Sequence, residues 1–352
     1  MRRNKLGATG LDVSIIGLGL EHLQFKEADK VVPVVHRAIE GGINYFDLLV
    51  GSPEVKDVFA MALKGHRDDL VLAAHLGIAE TDGQYRKSRD VGECEEIFYD
   101  LLSRLDTDHV DVLHLHNVDE EEDYQQIVGP GGVLELALDL KQKGKTGCIS
   151  FSGHNIELAK KAVRDGHIDV LMHPVNIAWD AAPGRKELFH LCAGRGVGLV
   201  GMKPFGGGEI FQREKPISPV KCINYTLSQA GVSLALMGVK NIQELEANLA
   251  FLDATEKELD FAGVLAEFQG ELEGTCVYCN HCLPCPSIID IGSTIRLSVT
   301  AQHGVTDQLR ADYDALAVKA SACIECDECT ERCPFGVDVI ARMRQTVELF
   351  ES

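Results

Sequence analysis

Eight of the chain's twelve cysteines fall in two runs near its C-terminus, and their spacing is that of metal-cluster ligands. The first run is Cys276-x2-Cys279-x2-Cys282-x2-Cys285-Pro286, the second Cys323-x2-Cys326-x2-Cys329-x3-Cys333-Pro334. Three cysteines at two-residue gaps let one short loop set three thiolates on adjacent corners of an iron–sulfur cubane, and the Cys-Pro step turns the chain away. Structural zinc also uses paired C-x2-C, but it needs only four thiolates per ion and has no use for four closely spaced cysteines ending in Cys-Pro. Disulfides would need an oxidising compartment, which nothing else in the chain suggests.

In two-cluster ferredoxins the fourth cysteine of each run ligates the other run's cluster. That rule places one 4Fe-4S cluster on Cys276, Cys279, Cys282 and Cys333, and a second on Cys323, Cys326, Cys329 and Cys285. The last gap of the first run is one residue shorter than in the second, which makes Cys285 the least regular of the eight.

The elements that must carry these runs follow from the rest of the chain. Its 352 residues suffice for a large domain and a small one, and a composition 45% apolar but only 6% aromatic suits a core of Val, Ile, Leu and Ala. Strand-length apolar runs are expected at Val13–Leu18, Ile43–Val50, Leu70–Leu76, Val110–His116, Thr146–Ser152, Val170–Val175, Gly198–Pro204 and Leu234–Val239. Helical periodicity lies between them at Lys30–Glu40, Pro53–Lys64, Gly92–Leu105, Gly132–Lys143, Ile156–Asp165, Arg185–Ala193, Val220–Ser228 and Ile242–Leu252. Eight such βα units predict an α/β fold, a parallel (β/α)8 TIM barrel over residues 1–255. Continuous apolar strands agree with a sheet covered on both faces. An open doubly wound sheet is the alternative, but Gly17-Leu18-Gly19-Leu20-Glu21 does not make the G-x-G-x-x-G turn that fold would use. Residues 256–352 are expected to form a small α-helical ferredoxin-like domain, with helices over Thr255–Gly274, Gln308–Ala320 and Val337–Phe350.

The net charge is −20, and about half of the excess lies after residue 250. Such a balance argues against nucleic acid or an anionic membrane as partner, and it suits a basic redox protein. No window offers the roughly 20 apolar residues of a membrane span. Met1-Arg2-Arg3 lacks a following apolar region and cleavage site, so a cytoplasmic location is expected.

Four stretches carry a family resemblance. They are Lys5–Gly19 (KLGATGLDVSIIGLG), Gly42–Asp47 (GINYFD), Arg104–His116 (RLDTDHVDVLHLH) and Gly144–His154 (GKTGCISFSGH). Together they resemble the aldo/keto reductases. Gly201-Met202-Lys203-Pro204-Phe205-Gly206-Gly207-Gly208 is similar to the seventh strand of the bacterial branch that carries a C-terminal 4Fe-4S domain. The resemblance implies hydride transfer between NADPH and a small carbonyl or alcohol substrate, with a tyrosine proton donor assisted by a lysine–aspartate pair and a histidine.

Only part of that set is present. Asp47 matches the aspartate and His116 the histidine. The segment after Asp47 reads Leu48-Leu49-Val50-Gly51-Ser52-Pro53-Glu54, without a tyrosine, and His75 ends the third strand where a lysine is expected. The candidate acids are therefore His116 and His75, since an imidazole titrates near neutrality without special tuning. Asp47 with two of His75, His114 and His116 would alternatively make a two-histidine, one-carboxylate metal set. For NAD(P)H, the resemblance assigns the carboxamide to Ser152 and Asn176. The Gly206-Gly207-Gly208 loop is placed at the pyrophosphate, Lys240 and Asn248 at the adenosine end, and Lys203 is a further cofactor-binding candidate. Glu244 stands where the family often has an arginine for the 2′-phosphate, which points toward NADH or toward weak binding of any dinucleotide. The sequence thus supports an iron–sulfur oxidoreductase. An electron-transfer subunit with a non-catalytic barrel, and a non-redox acid–base enzyme with structural clusters, stay open beside it.

Overall fold

The computed structural model describes all residues except 82–83, 180–183, 212–216, 262–263, 265–273, 275, 277–281, 302–304, 306 and 334–335. Cys279, Pro334 and most of the helix expected over Thr255–Gly274 lie outside the described residues. The chain divides into one compact unit of Met1–Ile177 with Gly184–Phe261, and a second of Ala178–Pro183 with Ala262–Ser352.

The first unit opens with an antiparallel pair, β1 (Arg3–Lys5) and β2 (Asp12–Ser14). Then β3 (Ile16–Gly19), β4 (Tyr45–Leu48) and β5 (Val71–Leu76) enter the barrel, and β6 (Ile78–Thr81) and β7 (Gln84–Lys87) form a hairpin beyond it. The strands β8 (Val110–Leu115), β9 (Thr146–Ser152), β10 (Val170–Pro174), β11 (Gly198–Met202) and β12 (Val232–Gly238) complete a closed sheet in which every neighbouring pair is parallel. This is the (β/α)8 barrel expected from the eight apolar runs.

Helices return the chain between barrel strands: α1 (Ala28–Glu40), α2 (Pro53–Leu63), α3 (Val91–Arg104), α4 (Glu121–Val128), α5 (Val133–Gln142), α6 (Ile156–Asp165), α7 (Arg185–Arg195), α8 (Pro219–Ser228) and α9 (Ile242–Leu249). Side-chain caps set the starts of α3, α6, α8 and α9. The Asn155 carboxamide oxygen accepts from the amides of Glu157 and Leu158, Asp90 accepts from Glu93, and Asn241 accepts from Glu244.

Period-two alternation sorts the strand residues into two cores. Phe46, Leu72, Leu113, Ile149, Leu171, Leu199 and Ala235 pack outward under the helices. Tyr45, Ala73, Val112, Cys148, Met172, Val200 and Leu234 fill the barrel interior. Gly17 serves that interior, because a Cβ there would lie 2.5 Å from Leu234 Cδ1.

The expected first strand, Val13–Leu18, is split at Ile15 between the hairpin and the barrel. Asn44 forces the break: its Oδ1 accepts from the Ser14 amide at 2.7 Å, its Nδ2 donates to Asp12 O, and its own amide donates to Ser14 Oγ. The β6–β7 hairpin and α4 were not expected, since neither carries an apolar run long enough to register as an element.

The short helix α10 (Glu256–Leu259) closes the first unit with a capping box between Thr255 and Glu258. The second unit holds α11 (Ile291–Ala301), α12 (Asp307–Asp314), the single turn α13 (Glu328–Glu331) and α14 (Val339–Phe350), with no strand among its described residues. The helix expected over Gln308–Ala320 stops at Asp314 because Lys319 Nζ donates to the carbonyls of Tyr313, Asp314 and Leu316, the orphan acceptors of its last turn. Tyr313 stacks on Phe350 at 4.4 Å and its hydroxyl accepts from the Ala320 amide, which anchors the loop entering the second cysteine run. No helix of the described residues is long and apolar enough to cross a membrane.

Candidate active site

Because interior residues recur every second position, the barrel's inner columns continue from apolar to polar toward the carboxyl ends of the strands. On β4 Tyr45 is followed by Asp47, on β5 Ala73 by His75, on β8 Val112 by His114, and on β9 Cys148 by Ser150 and Ser152. The register sets His75 beside His114 and Asp47 beside Ala73.

These side chains form one hydrogen-bonded cluster. His75 Nε2 lies 2.9 Å from Asp47 Oδ1, and His75 Nδ1 lies 3.0 Å from His116 Nδ1. His114 Nδ1 is 2.7 Å from Ser150 Oγ, while its Nε2 is 3.4 Å from the Tyr45 hydroxyl and 3.5 Å from Asp47 Oδ1. Asp47, His75 and His116 are each 6% exposed and His114 is fully buried, so water screens none of them well.

The electrostatics follow from that packing. Burial alone would raise the Asp47 pKa, but the charge and hydrogen bond of His75, with His114, pull it below the usual carboxylate value. Burial, reinforced by His75, drives His114 down to about 3. Burial, His75 and Arg89 hold His116 well below an ordinary imidazole, so the untuned titration expected from sequence does not apply to it. Tyr45, fully buried next to Asp47, is raised well above its usual value by burial and by that carboxylate.

The structure brings Asp47, His75 and His116 together. Ser152 is buried at the end of β9, and Asn176 is buried just past β10 with its Nδ2 donating to Lys203 O at 3.1 Å. Lys203 has a left-handed backbone (φ 52°) and sets its Nζ 3.0 Å from His154 Nε2, whose Nδ1 is 2.8 Å from Asp119. Gly206, Gly207 and Gly208 all take positive φ, and a Cβ on Gly207 or Gly208 would meet nothing within 4 Å. The Lys240 amide donates to Glu244 Oε2 at 2.8 Å, so the Glu244 carboxylate closes the start of α9, on which Asn248 is buried.

Three participants escaped the sequence. Tyr45 and Ser150 lie two residues before Asp47 and Ser152, on β4 and β9, and that period-two spacing was the available signal. Arg89, after β7, had none: its guanidinium pairs with Asp123 and donates to His116 O at 2.8 Å, fixing the backbone that presents the imidazole.

The second cysteine run offers a thiol donor set with fitting backbone. Cys323 follows a 3-10 turn, Cys329 sits in α13, and each two-residue gap contains one left-handed residue, Glu325 (φ 55°) and Asp327 (φ 66°). Such interruptions turn backbone amides toward a concavity that suits an anionic group. The Val337 amide donates to Cys333 Sγ at 3.4 Å, as amides do to cluster sulfur. The described cysteines are all outside disulfides. These residues fit an iron–sulfur cluster.

A closed parallel barrel with its polar cluster at the carboxyl ends of the strands, joined in one chain to a cysteine-rich helical unit, defines a (β/α)8 redox architecture. The chain belongs to the aldo/keto reductase family: the model of that family matches residues 15–221, and that of the 4Fe-4S dicluster domain matches residues 275–338. It is an oxidoreductase-type member carrying a C-terminal iron–sulfur domain. Among curated relatives, it is 25% identical over 299 residues to the oxidoreductase YqkF of Bacillus subtilis, covering 74% of this chain and 94% of that one. It is 26% identical over 305 residues to L-galactose dehydrogenase of Arabidopsis thaliana, covering 76% and 92%. Among solved structures, aldo-keto reductase AKR11C1 of Bacillus halodurans in its holo form superposes with a TM-score of 0.64 at 22% identity over 76% of this chain and 96% of that one. PA4992 of Pseudomonas aeruginosa gives 0.61 at 22% identity over 73% and 96%. These two likenesses show the fold.

Proposed function

We propose that the barrel interconverts a small carbonyl compound and its alcohol, with electrons relayed through two 4Fe-4S clusters. The observation that carries this reading is the chain Asp47–His75–His116, closed by the 3.0 Å contact between two Nδ1 atoms. Only one nitrogen of that contact can hold the hydrogen. When His75 is neutral with its Nε2–H on Asp47, His116 donates from Nδ1, and its Nε2 is left as a base. In alcohol oxidation the substrate hydroxyl gives its proton to His116 Nε2 as the His116 Nδ1 proton passes to His75 Nδ1, and carbonyl reduction runs both transfers in reverse. In the acid form His75 carries both hydrogens and His116 holds its one hydrogen on Nε2, from which it can be given up. Charge then resides on His75, beside the Asp47 carboxylate, and His116 stays neutral in both forms. This arrangement replaces the tyrosine expected after Asp47 and the lysine expected at the end of β5.

NAD(P)H would supply or accept the hydride. Ser152 and Asn176 would hold its carboxamide, Lys203 and the Gly206–Gly208 backbone its pyrophosphate, and Lys240 and Asn248 its adenosine end. The Glu244 carboxylate at the start of α9 disfavours a 2′-phosphate and so favours NADH. The clusters would pass single electrons to or from a redox protein, with Cys276, Cys279, Cys282 and Cys333 on one and Cys323, Cys326, Cys329 and Cys285 on the other. The acidic balance favours a basic partner, and the setting is cytoplasmic.

Replacing His116 or His75 by Ala tests the relay. Turnover of a small carbonyl or alcohol accepted by the unmodified protein should fall by about 10²-fold or more, the usual scale for a general acid, with the cluster spectrum unchanged. Full turnover in both variants would remove the relay and favour a barrel that serves only as scaffold for electron transfer.

A further inference from the structure

The relay uses Asp47, His75 and His116, but leaves His114 unexplained. His114 is fully buried, and its Nδ1 is engaged at 2.7 Å by Ser150 Oγ, whose hydroxyl in turn faces Phe151 O at 3.5 Å. With Nδ1–H donated to the serine, Nε2 is a lone pair. That lone pair lies 3.5 Å from Asp47 Oδ1, another acceptor, and its nearest donor is the Tyr45 hydroxyl at 3.4 Å, beyond the range of a good hydrogen bond. Two acceptors facing one another inside a barrel are stabilised by a cation between them.

We infer that Asp47 Oδ1, His75 Nε2 and His114 Nε2 form a binding site for one divalent first-row transition ion. Asp47, His75 and His114 each offer a ligand atom within 4.8 Å of the other two. For bonds of about 2.1 Å to imidazole nitrogen and carboxylate oxygen, separations of 2.9 and 3.5 Å correspond to ligand–metal–ligand angles of about 90° and about 110°. Those two angles are close to octahedral and tetrahedral values. Two histidines and one carboxylate are a set that takes Zn²⁺ or Fe²⁺. The outer contacts are those a metal-bound imidazole makes: each ring has its remaining nitrogen held, His114 by Ser150 and His75 by His116.

The ion occupies the place of the hydrogen between His75 and Asp47. Its arrival leaves the His75 hydrogen on Nδ1, fixed toward His116, so metal occupancy and proton relay exclude one another and Zn²⁺ inhibits turnover. Binding of the ion does not depend on which reaction the barrel performs.

The test is anaerobic equilibrium dialysis of the full-length, cluster-replete protein against Co²⁺, with cobalt per chain counted by mass spectrometry and its ligands read by X-ray absorption. The expected result is one cobalt per chain, with a first shell of nitrogen and oxygen only and imidazole scattering. Ser150→Ala should weaken binding by about 10- to 100-fold, the cost of losing an outer partner, and Asp47→Ala and His114→Gln by more. Absence of saturable binding, sulfur in the first shell, or undiminished affinity in Asp47→Ala would each overturn the inference. Should His114→Gln fail to fold, Asp47→Ala and the absorption spectrum of the unmodified protein decide the matter.

Discussion

Replacing Asp47 by Asn keeps a side chain of the same shape next to His75 but removes the charge. In the relay, His75 becomes an imidazolium 2.9 Å from that carboxylate whenever His116 acts as base. Unit charges whose centres are about 4 Å apart attract by about 4 kcal/mol at an effective dielectric constant of about 20. If half to all of that attraction is expressed in the transition state, the loss is about 2 to 4 kcal/mol, or about 30- to 1,000-fold in kcat. The carboxylate does not itself meet the substrate in this scheme, so KM should stay within about threefold. Steady-state kinetics in the oxidative direction, with folding checked by circular dichroism and the clusters by absorbance, supply the assay. An unchanged kcat, or a loss confined to KM, would refute the role given to Asp47 and with it the charge separation on which the relay depends.

Other predictions follow from particular residues. Cys285→Ser should lower iron and sulfide below the eight of each that two cubanes require, whereas Cys192→Ser, at a buried thiol on α7, should leave them intact; elemental analysis decides. Asp119 is pulled down to about 2, against the opposing effect of burial, by the hydrogen bond and charge of His154 and by the amides of His154 and Asn155. Since its folded value lies below its unfolded one, its stabilisation is complete above about pH 4 and is lost as pH falls toward 2, about 2 kcal/mol in all. Asp119→Asn should therefore flatten the acid-unfolding curve in that window, and an unaltered curve would remove Asp119 from the ledger of acid-sensitive groups.

Much of the barrel was written in the sequence because strands covered on both faces are continuous apolar runs bounded by caps and glycines. Thr146–Ser152 and Ile156–Asp165 came out with the same ends in sequence and structure. The boundaries that slipped did so where a long-range polar contact intervened, as with Asn44 at Ile15 or Lys319 at Asp314. The site was legible in part for a similar reason. Asp47, His75 and His116 stand at strand ends where chemistry is expected, but their mutual distances depend on register between strands that sequence does not print. Tyr45 and Ser150 were hidden by their positions one layer deeper, among residues that otherwise read as core. Burial also reversed one expectation: an imidazole at a strand end suggested an ordinary histidine, and the packed barrel makes His116 a neutral one.

In the proposed function the barrel and the cysteine-rich unit act as one oxidoreductase. An anaerobic titration of the purified, cluster-replete protein with NADH and then NADPH, following the broad cluster absorbance, tests it most directly. Bleaching by NADH is expected at lower concentration than by NADPH, since Glu244 opposes a 2′-phosphate. Cluster absorbance unmoved by either nucleotide, with the small-molecule substrate absent or present, would contradict it.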